Sequence, residues 1–548
     1  MELFLSFILS TLISLLLIPL LIKSAGFLGM VDEPGERKVH QKAIPRCGGL
    51  GLAAAMLITV LLLLPIDTPY RGLILGGAII VVFGALDDVL NLHYRWKFLG
   101  QFLAVLLVMQ QGIYLDYLPF NGIEPAPKWI AYPITFLFVV GVTNAVNLSD
   151  GLDGLAAGIM LMTLALIAFL AADSGGWLPV MALALIGGIL GFLRFNSHPA
   201  IVFMGDTGSQ FIGFMVAFLS ICLVSDVHVV LNPALPLLLL GLPVLDTLMV
   251  MTQRIALRLS PFSPDKRHIH HKLLAFGLTH AEAVACIYVL QSVFLVAAFC
   301  WRYQSDWLVI GGYLMICTVI LALFFGGDHL GWRLRDVEVG SDRRRGFLRQ
   351  FDGLYKGARV YIEYALLLYL LVMILVMSDK IDAFSSRDQW LLMMVVALVG
   401  LVKKPMSDAL VKLSVYVTAT FSGFVLTTEA LGIAHIDSVV NSFLAALMLV
   451  TFLAIRVTRR SVFTLSTQDM LISFFVLAVF LLADTKLPVG ILFKLLCMAY
   501  AIEYLFTFSL RRYRLLRFVA VVAGIMVLSL LIQDNTQSVL DAAEQLNG

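Results

Sequence analysis

Charge is what this 548-residue chain lacks: Asp, Glu, Lys and Arg make up 14% of it, against 60% hydrophobic residues and a mean hydropathy of +0.95. Ordinary soluble domains carry roughly a quarter of their residues as charges, so this composition excludes that class. Cysteine is also sparse. Cys47, Cys222, Cys286, Cys300, Cys317 and Cys497 are scattered with no CxxC pair, which leaves neither a disulfide framework nor a thiolate metal motif. They read as small core residues. The N-terminal run from Leu3 to Ile22 has no basic segment before it and no small-residue cleavage site, so it reads as a retained first span and not a signal peptide. The net charge of +2 excludes nothing; the placement of the charges carries the information.

What the chain has in abundance is apolar runs of about 17 to 25 residues, each long enough to cross a bilayer core as a helix. Roughly eighteen of them predict an all-α, polytopic transmembrane protein. Basic residues crowd Lys23 to Arg46, Arg95 to Lys97, Arg254 to Lys272 and Arg333 to Arg359, and recur at Arg194, Lys403-Lys404, Arg456 to Arg460 and Arg511 to Arg517. The intervening connections, near Pro65, Asn121, Gly175, Val227, Gln304 and Asp382, hold few lysines or arginines. If each run is one crossing, the basic loops share the cytoplasmic side and the N-terminus lies outside. Asp87-Asp88, Asn147 to Asp153, Asp206, Asp246 and His268-Ile-His270-His271 then all fall at cytoplasmic span ends.

Three segments follow from this pattern. Residues 1–326 hold about eleven spans and all the acidic clusters. Residues 327–360 form an arginine-rich cytoplasmic connector. Residues 361–548 add about seven further spans, up to Ile532, of open role. Isolated acids there, such as Glu429 and Glu503, read as helix-end contacts.

Charge at a membrane boundary is costly unless it is solvated or used. Asp and Asn oxygens suit a hard cation, above all Mg²⁺, which keeps waters and bridges phosphates. Phosphoryl transfer needs metal, cationic side chains and alignment more than covalent help, and Lys97 with the histidines can supply positive or donor contacts. Three histidines within four residues, without a cysteine or carboxylate at ligand spacing, make a poor zinc motif. Asp206, beside two glycines, also suits a helix cap, and Asp246 also reads as a structural hydrogen-bonding group. His93 and His198 read as ordinary interfacial residues. The rival class is a transporter or lipid flippase, whose charges mark a midplane pathway; here the polar groups gather at one face.

Gly84-Ala-Leu-Asp-Asp-Val-Leu-Asn-Leu-His-Tyr-Arg-Trp-Lys97, Asn144-Ala-Val-Asn-Leu-Ser-Asp-Gly-Leu-Asp-Gly154 and Phe203-Met-Gly-Asp-Thr-Gly-Ser209 resemble motifs of the polyprenyl-phosphate N-acetylhexosamine-1-phosphate transferases, glycosyltransferase family 4. Ser260 to His271 is similar to the WecA/TagO branch, and Asp32 to His40 with Ile44 to Gly49 is similar to the family's first cytoplasmic loop. The resemblance spans about the first 320 residues. It implies that a UDP-N-acetylhexosamine, GlcNAc favoured, reacts with undecaprenyl phosphate at the cytoplasmic membrane face. The products are undecaprenyl-diphospho-sugar and UMP, with Mg²⁺ or Mn²⁺ as cofactor, and the reaction initiates a cell-surface glycan in a bacterial inner membrane. Another UDP-HexNAc or phospho-MurNAc-pentapeptide is the alternative donor. Expected partners are undecaprenyl phosphate, the UDP-sugar and the lipid bilayer, with a homodimer admitted and nucleic acid excluded.

The resemblance also distributes roles. Asp206 and Asn147 match metal ligands. Asp87 and Asp88 match the acidic pair near the attacking phosphate, where mutual repulsion suits a base. Asp150 lies close to metal and phosphates as a further catalytic residue of open role. Gly151, Asp153 and Phe203 match the nucleoside pocket. Lys97, His268, His270 and His271 match phosphate contacts, and Lys38, His40 and Arg46 match loop contacts over the site.

Overall fold

The computed structural model describes residues 2–33, 43–65, 70–122, 124–172, 176–260 and 267–332, with short pieces between 361 and 451. Two compact units divide the chain: Met1–Glu338 with Leu465–Leu471, and Val339–Thr464 with Ile472–Gly548. The expected C-terminal spans and most of the connector lie outside the described residues.

The first unit is helical: α1 (Glu2–Leu28), α2 (Gly48–Leu63), α3 (Arg71–Leu90), α4 (Tyr94–Gln110), α5 (Lys128–Ser149), α6 (Leu155–Ala171), α7 (Trp177–Asn196), α8 (Gly205–Cys222), α9 (Leu235–Leu239), α10 (Gly241–Ala256), α11 (Ile269–Ala275), α12 (His280–Trp301) and α13 (Asp306–His329). Among the described residues, α1, α3, α5, α7, α8, α12 and α13 are the helices both long and apolar enough to cross a membrane; α2 and α6 are shorter apolar helices. The all-α expectation misses one small element. Strands β1 (Val31–Asp32) and β2 (Ile44–Pro45) pair antiparallel at the base of the first loop.

Most of these helices are apolar all round, as helices are when lipid or other helices surround them. Their ends are set by local chemistry. α3 stops at Asn91, which takes the left-handed conformation at φ 48°, a role asparagine tolerates better than most residues. α12 opens on a capping box: the Thr279 amide donates to Glu282 Oε2 at 2.9 Å while Thr279 Oγ accepts from the Glu282 amide at 3.4 Å.

α8 is the central post. Every residue from Thr207 to Cys222 is buried, with α3 and α5 packed closely against it and α2, α6 and α7 around the remainder. The N-terminal run is part of this bundle: α1 lies along α7, where Ser14 Oγ donates to Gly188 O at 3.0 Å. The bundle has two distinct ends. At one, Asn232 donates to Asp306 Oδ1 at 2.5 Å and the Phe120 amide donates to Asp306 Oδ2 at 2.7 Å. At the other meet the end of α3, the starts of α4 and α8, the end of α5 and α11. All the acidic motifs stand there.

Candidate active site

Neighbouring residues on a helix point about 100° apart, so Asp87 and Asp88 at the end of α3 face different partners. The left-handed turn at Asn91 brings the Leu92 amide back onto Asp87 Oδ1 at 2.7 Å. It also starts α4 so that Lys97 Nζ reaches Asp87 Oδ2 at 2.5 Å. The same ammonium contacts Asp206 Oδ2 at 2.9 Å, so one lysine bridges two carboxylates on separate helices. Asp88 turns to α8. Its Oδ1 accepts from the Asp206 amide at 2.8 Å, and its Oδ2 accepts from the Thr207 amide at 3.0 Å and from Thr207 Oγ at 2.5 Å. The acidic pair of the sequence is thus two separately anchored groups, not two carboxylates confronting each other.

From α5, Asn147 accepts from Ser209 Oγ at 2.5 Å and its side chain also meets Asp206. One turn deeper, Asn144 donates to Gln101 Oε1 at 2.9 Å and Gln101 donates to Gln210 Oε1 at 3.0 Å. This chain of amides ties α5, α4 and α8 beneath the carboxylates. Each member satisfies the next, which is the condition for burying polar groups in an apolar bundle.

Past the end of α5 the chain turns through Asp150 to Gly154. Asp150 is half-buried, and burial together with the nearby charges of Asp206, Asp153 and Asp88 pushes its carboxyl up to about 7. Four carboxyl groups, those of Asp87, Asp88, Asp150 and Asp206, thus gather near the ammonium of Lys97. Oxygen donors from Asp206 and Asn147, with Asp150 near them, are of the type that suits a hard divalent cation.

Asp153 is held away from that centre. Its Oδ2 takes His198 Nδ1 at 2.7 Å and the Ala200 amide at 3.1 Å, while its own amide donates to His280 Nε2 at 3.1 Å. Asp153, His198 and His280 bring three ligand-type atoms within 4.8 Å of one another. The two imidazoles, however, stack at 4.1 Å with planes 19° apart. Their in-plane lone pairs run side by side and do not converge, so the trio is a hydrogen-bonded cluster and not a metal centre. Asn196, buried at the end of α7, links this turn to the next motif: it accepts from the Gly154 amide at 2.8 Å and donates to Val202 O at 2.9 Å. Phe203 follows, half-buried, its amide donating to Pro45 O at 2.7 Å while its carbonyl accepts from the Gly48 amide at 3.1 Å.

The histidine motif is anchored by Asp246 of α10. Asp246 Oδ2 takes His268 Nδ1 at 2.8 Å and Oδ1 accepts from the Ile269 amide at 2.8 Å, all of it buried. The structural reading of Asp246 is the one this geometry fits. His270 is buried against Gly151, where an added Cβ would come within 2.2 Å of Nε2. Burial and the His271 imidazole push His270 down to about 3, so its ring is neutral and brings no positive charge. Of the three histidines, His271 is the more accessible.

Arg46 pairs with Asp32 across the strand base, so its side chain braces the first loop. Lys38 and His40 lie outside the described residues. Sequence reasoning did not single out Asn196, Thr207, Ser209 and His280, and took His198 for an ordinary interfacial residue. Asn196 and His198 left a signal, polar residues directly after an apolar run. His280 left none, because Thr-His-Ala-Glu reads as a helix start.

α3 can carry its aspartates this close to α8 because Gly84 meets Thr207 without a side chain. An added Cβ would sit 2.5 Å from Thr207 Cα and 2.9 Å from its amide nitrogen. Backbone cannot swing aside, so Gly84→Ala is expected to cost about 1–3 kcal/mol of stability and to lower turnover more than stability alone explains. Thermal unfolding in detergent, beside activity per folded molecule, checks both; unchanged values would mean that α3 and α8 tolerate separation.

Fold and site together describe a helical protein with several spans apolar enough to cross a membrane and a polar cluster of carboxylates, amides and one lysine at one end. The model of the family described as glycosyl transferase family 4 matches residues 70–224. A probable undecaprenyl-phosphate N-acetylglucosaminyl 1-phosphate transferase of Bacillus subtilis is 39% identical over 308 residues, 55% of this chain and 86% of that protein. A decaprenyl-phosphate N-acetylglucosaminephosphotransferase of Mycolicibacterium smegmatis is 36% identical, covering 48% of this chain and 72% of that protein. An undecaprenyl-phosphate alpha-N-acetylglucosaminyl 1-phosphate transferase of Escherichia coli is 30% identical, covering 56% and 84%. The chain belongs to glycosyl transferase family 4 and is an enzyme of the phosphotransferase class. The transporter alternative is thereby set aside for the first unit.

Proposed function

We propose that the protein transfers N-acetylhexosamine 1-phosphate, GlcNAc favoured, from a UDP-sugar to undecaprenyl phosphate at the cytoplasmic face of a bacterial inner membrane. The observation that carries this reading is the meeting of Asp87, Asp206, Asn147 and Lys97 at one end of the bundle, with Asp150 beside them. A phosphate oxygen of the lipid attacks the β-phosphorus of the UDP-sugar. The bond from that phosphorus to the bridging oxygen breaks, and UMP leaves with the oxygen. A phosphate monoester is already largely anionic at neutral pH and needs orientation more than activation. Asp87 and Asp88 have their oxygens engaged by Lys97, the Leu92 amide and α8, which supports direct attack over a phospho-aspartyl intermediate.

Asp206 and Asn147, with Asp150 beside them, would hold Mg²⁺ or Mn²⁺, which supplies charge neutralisation on the diphosphate when bound. Lys97 orients the phosphate end of the donor while holding Asp206 in place. Gly151, Asp153 and Phe203 form the nucleoside side, with an aromatic face for uracil and a carboxylate for its edge; Asn196 ties the turn at Gly154 to Val202, next to Phe203. GlcNAc is favoured because the relatives in three organisms are named for it. Purified protein incubated with undecaprenyl phosphate, Mg²⁺ and a panel of UDP-sugars is expected to release UMP fastest with UDP-GlcNAc. Release with a different UDP-HexNAc would reassign the sugar, and no release with any donor would overturn the reading.

A further inference from the structure

We propose that Asp88 is a positioning residue that caps the first turn of α8 from another helix and so fixes Asp206. The first four amides of any α-helix lack partners within it. At α8 the residue in the capping position is Met204, whose side chain makes no cap hydrogen bond. Asp88 of α3 caps the helix instead. Both of its oxygens accept from the Asp206 and Thr207 amides, and Thr207 Oγ adds a third bond. Asp88 is 5% exposed, and a negative charge there also complements the positive end of the helix. Gly205 makes the approach feasible. It sits at φ +69°, and a Cβ on it would lie 2.6 Å from both Asp88 Oδ2 and Arg46 O. With three of its roughly four lone-pair positions occupied, Asp88 has little capacity left for a proton in flight. Its acidic neighbour Asp87 turns instead to Lys97.

The consequence for turnover rests on the reading of Asp206 as a metal ligand; the cap itself does not. Hydrogen exchange on the detergent-solubilised full chain, without metal or substrate, tests the cap directly. In Asp88→Asn one oxygen becomes an amide group that faces donors, so the Asp206 and Thr207 amides are expected to exchange about tenfold faster or more. In the UMP-release assay, Asp88→Asn is expected to lose on the order of 10²-fold in kcat, as a displaced ligand does, with both limbs of the pH–rate profile where wild type has them. Thr207→Val, which removes only the third bond, is expected to lose about tenfold, and Thr207→Ser to retain most of the activity. The Asp88→Asn/Thr207→Val double variant is expected to be little worse than Asp88→Asn alone, because both changes break one device.

Unchanged amide exchange in Asp88→Asn would overturn the proposal. So would loss of one limb of its pH profile, or an inactive Asp88→Asn beside a fully active Thr207→Val. If Asp88→Asn does not fold, the contrast between Thr207→Val and Thr207→Ser in exchange and turnover carries the same decision. If Asp206 proves dispensable, the metal reading fails while the exchange result still decides the cap.

Discussion

Asp206→Asn is expected to abolish turnover, by about 1000-fold or more, while the protein stays folded. The two halves of that expectation rest on different atoms. The backbone of residue 206 is held by Asp88 and does not change with the side chain. An asparagine oxygen can still accept from Lys97, which in the native protein stands 2.9 Å from Asp206 Oδ2. What disappears is one full negative charge at the first turn of α8, where Lys97, Asn147 and Asp87 all converge. Asparagine is an oxygen donor too, but a neutral one, and a divalent cation loses the charged ligand that compensates its dehydration. UMP release together with thermal unfolding in detergent separates the two halves. Activity within about tenfold of wild type would refute the metal role, and collapse of the unfolding transition would show Asp206 to be chiefly structural.

The architecture was legible wherever a one-dimensional signal determined it. Apolar runs located the helices of the first unit, and the motifs at their ends met at one end of the bundle. Asp87, Lys97 and Asp206 were chosen by residue type and spacing, and the structure brings them within hydrogen-bond reach. What the sequence could not convey was direction. Adjacent aspartates look like a repelling pair in one dimension, yet the helical step sends Asp87 to Lys97 and Asp88 into the start of α8. The histidines likewise look like one cationic group. In three dimensions His268 is held by Asp246, and His270 is a neutral ring wedged on Gly151. Arg46 reads as a loop contact over the site, and its pairing with Asp32 has no counterpart in the sequence pattern. Long-range partners such as Asn196 to Gly154, or Tyr288 to Gly154 O at 2.8 Å, have no periodicity to betray them.

The other large effect is expected at Lys97. Lys97→Met removes the ammonium that, among the described residues, touches both Asp87 and Asp206. Stripping one partner from a fully buried ion pair costs about 3–5 kcal/mol. Lys97 is 27% exposed, so water takes up part of that charge and the stability loss should be smaller. The loss in turnover should not shrink in the same way, because the site loses the cation placed to meet a transferring phosphoryl group. A fall on the order of 10²- to 10³-fold in kcat is expected, and raising Mg²⁺ should not restore it, because the ammonium is assigned its own contact with the phosphoryl group, separate from that of the metal. Lys97→Arg provides the control. It keeps the charge but replaces a compact ammonium by a planar fork. The native Nζ lies 2.5 Å from one carboxylate and 2.9 Å from the other, so a guanidinium can still pair with both carboxylates but cannot set a compact ammonium at the same point. Arginine should therefore recover most of the lost stability and little of the turnover. Full recovery by arginine would make Lys97 a counter-ion alone, whereas stability restored without turnover would place its ammonium on the reacting phosphate.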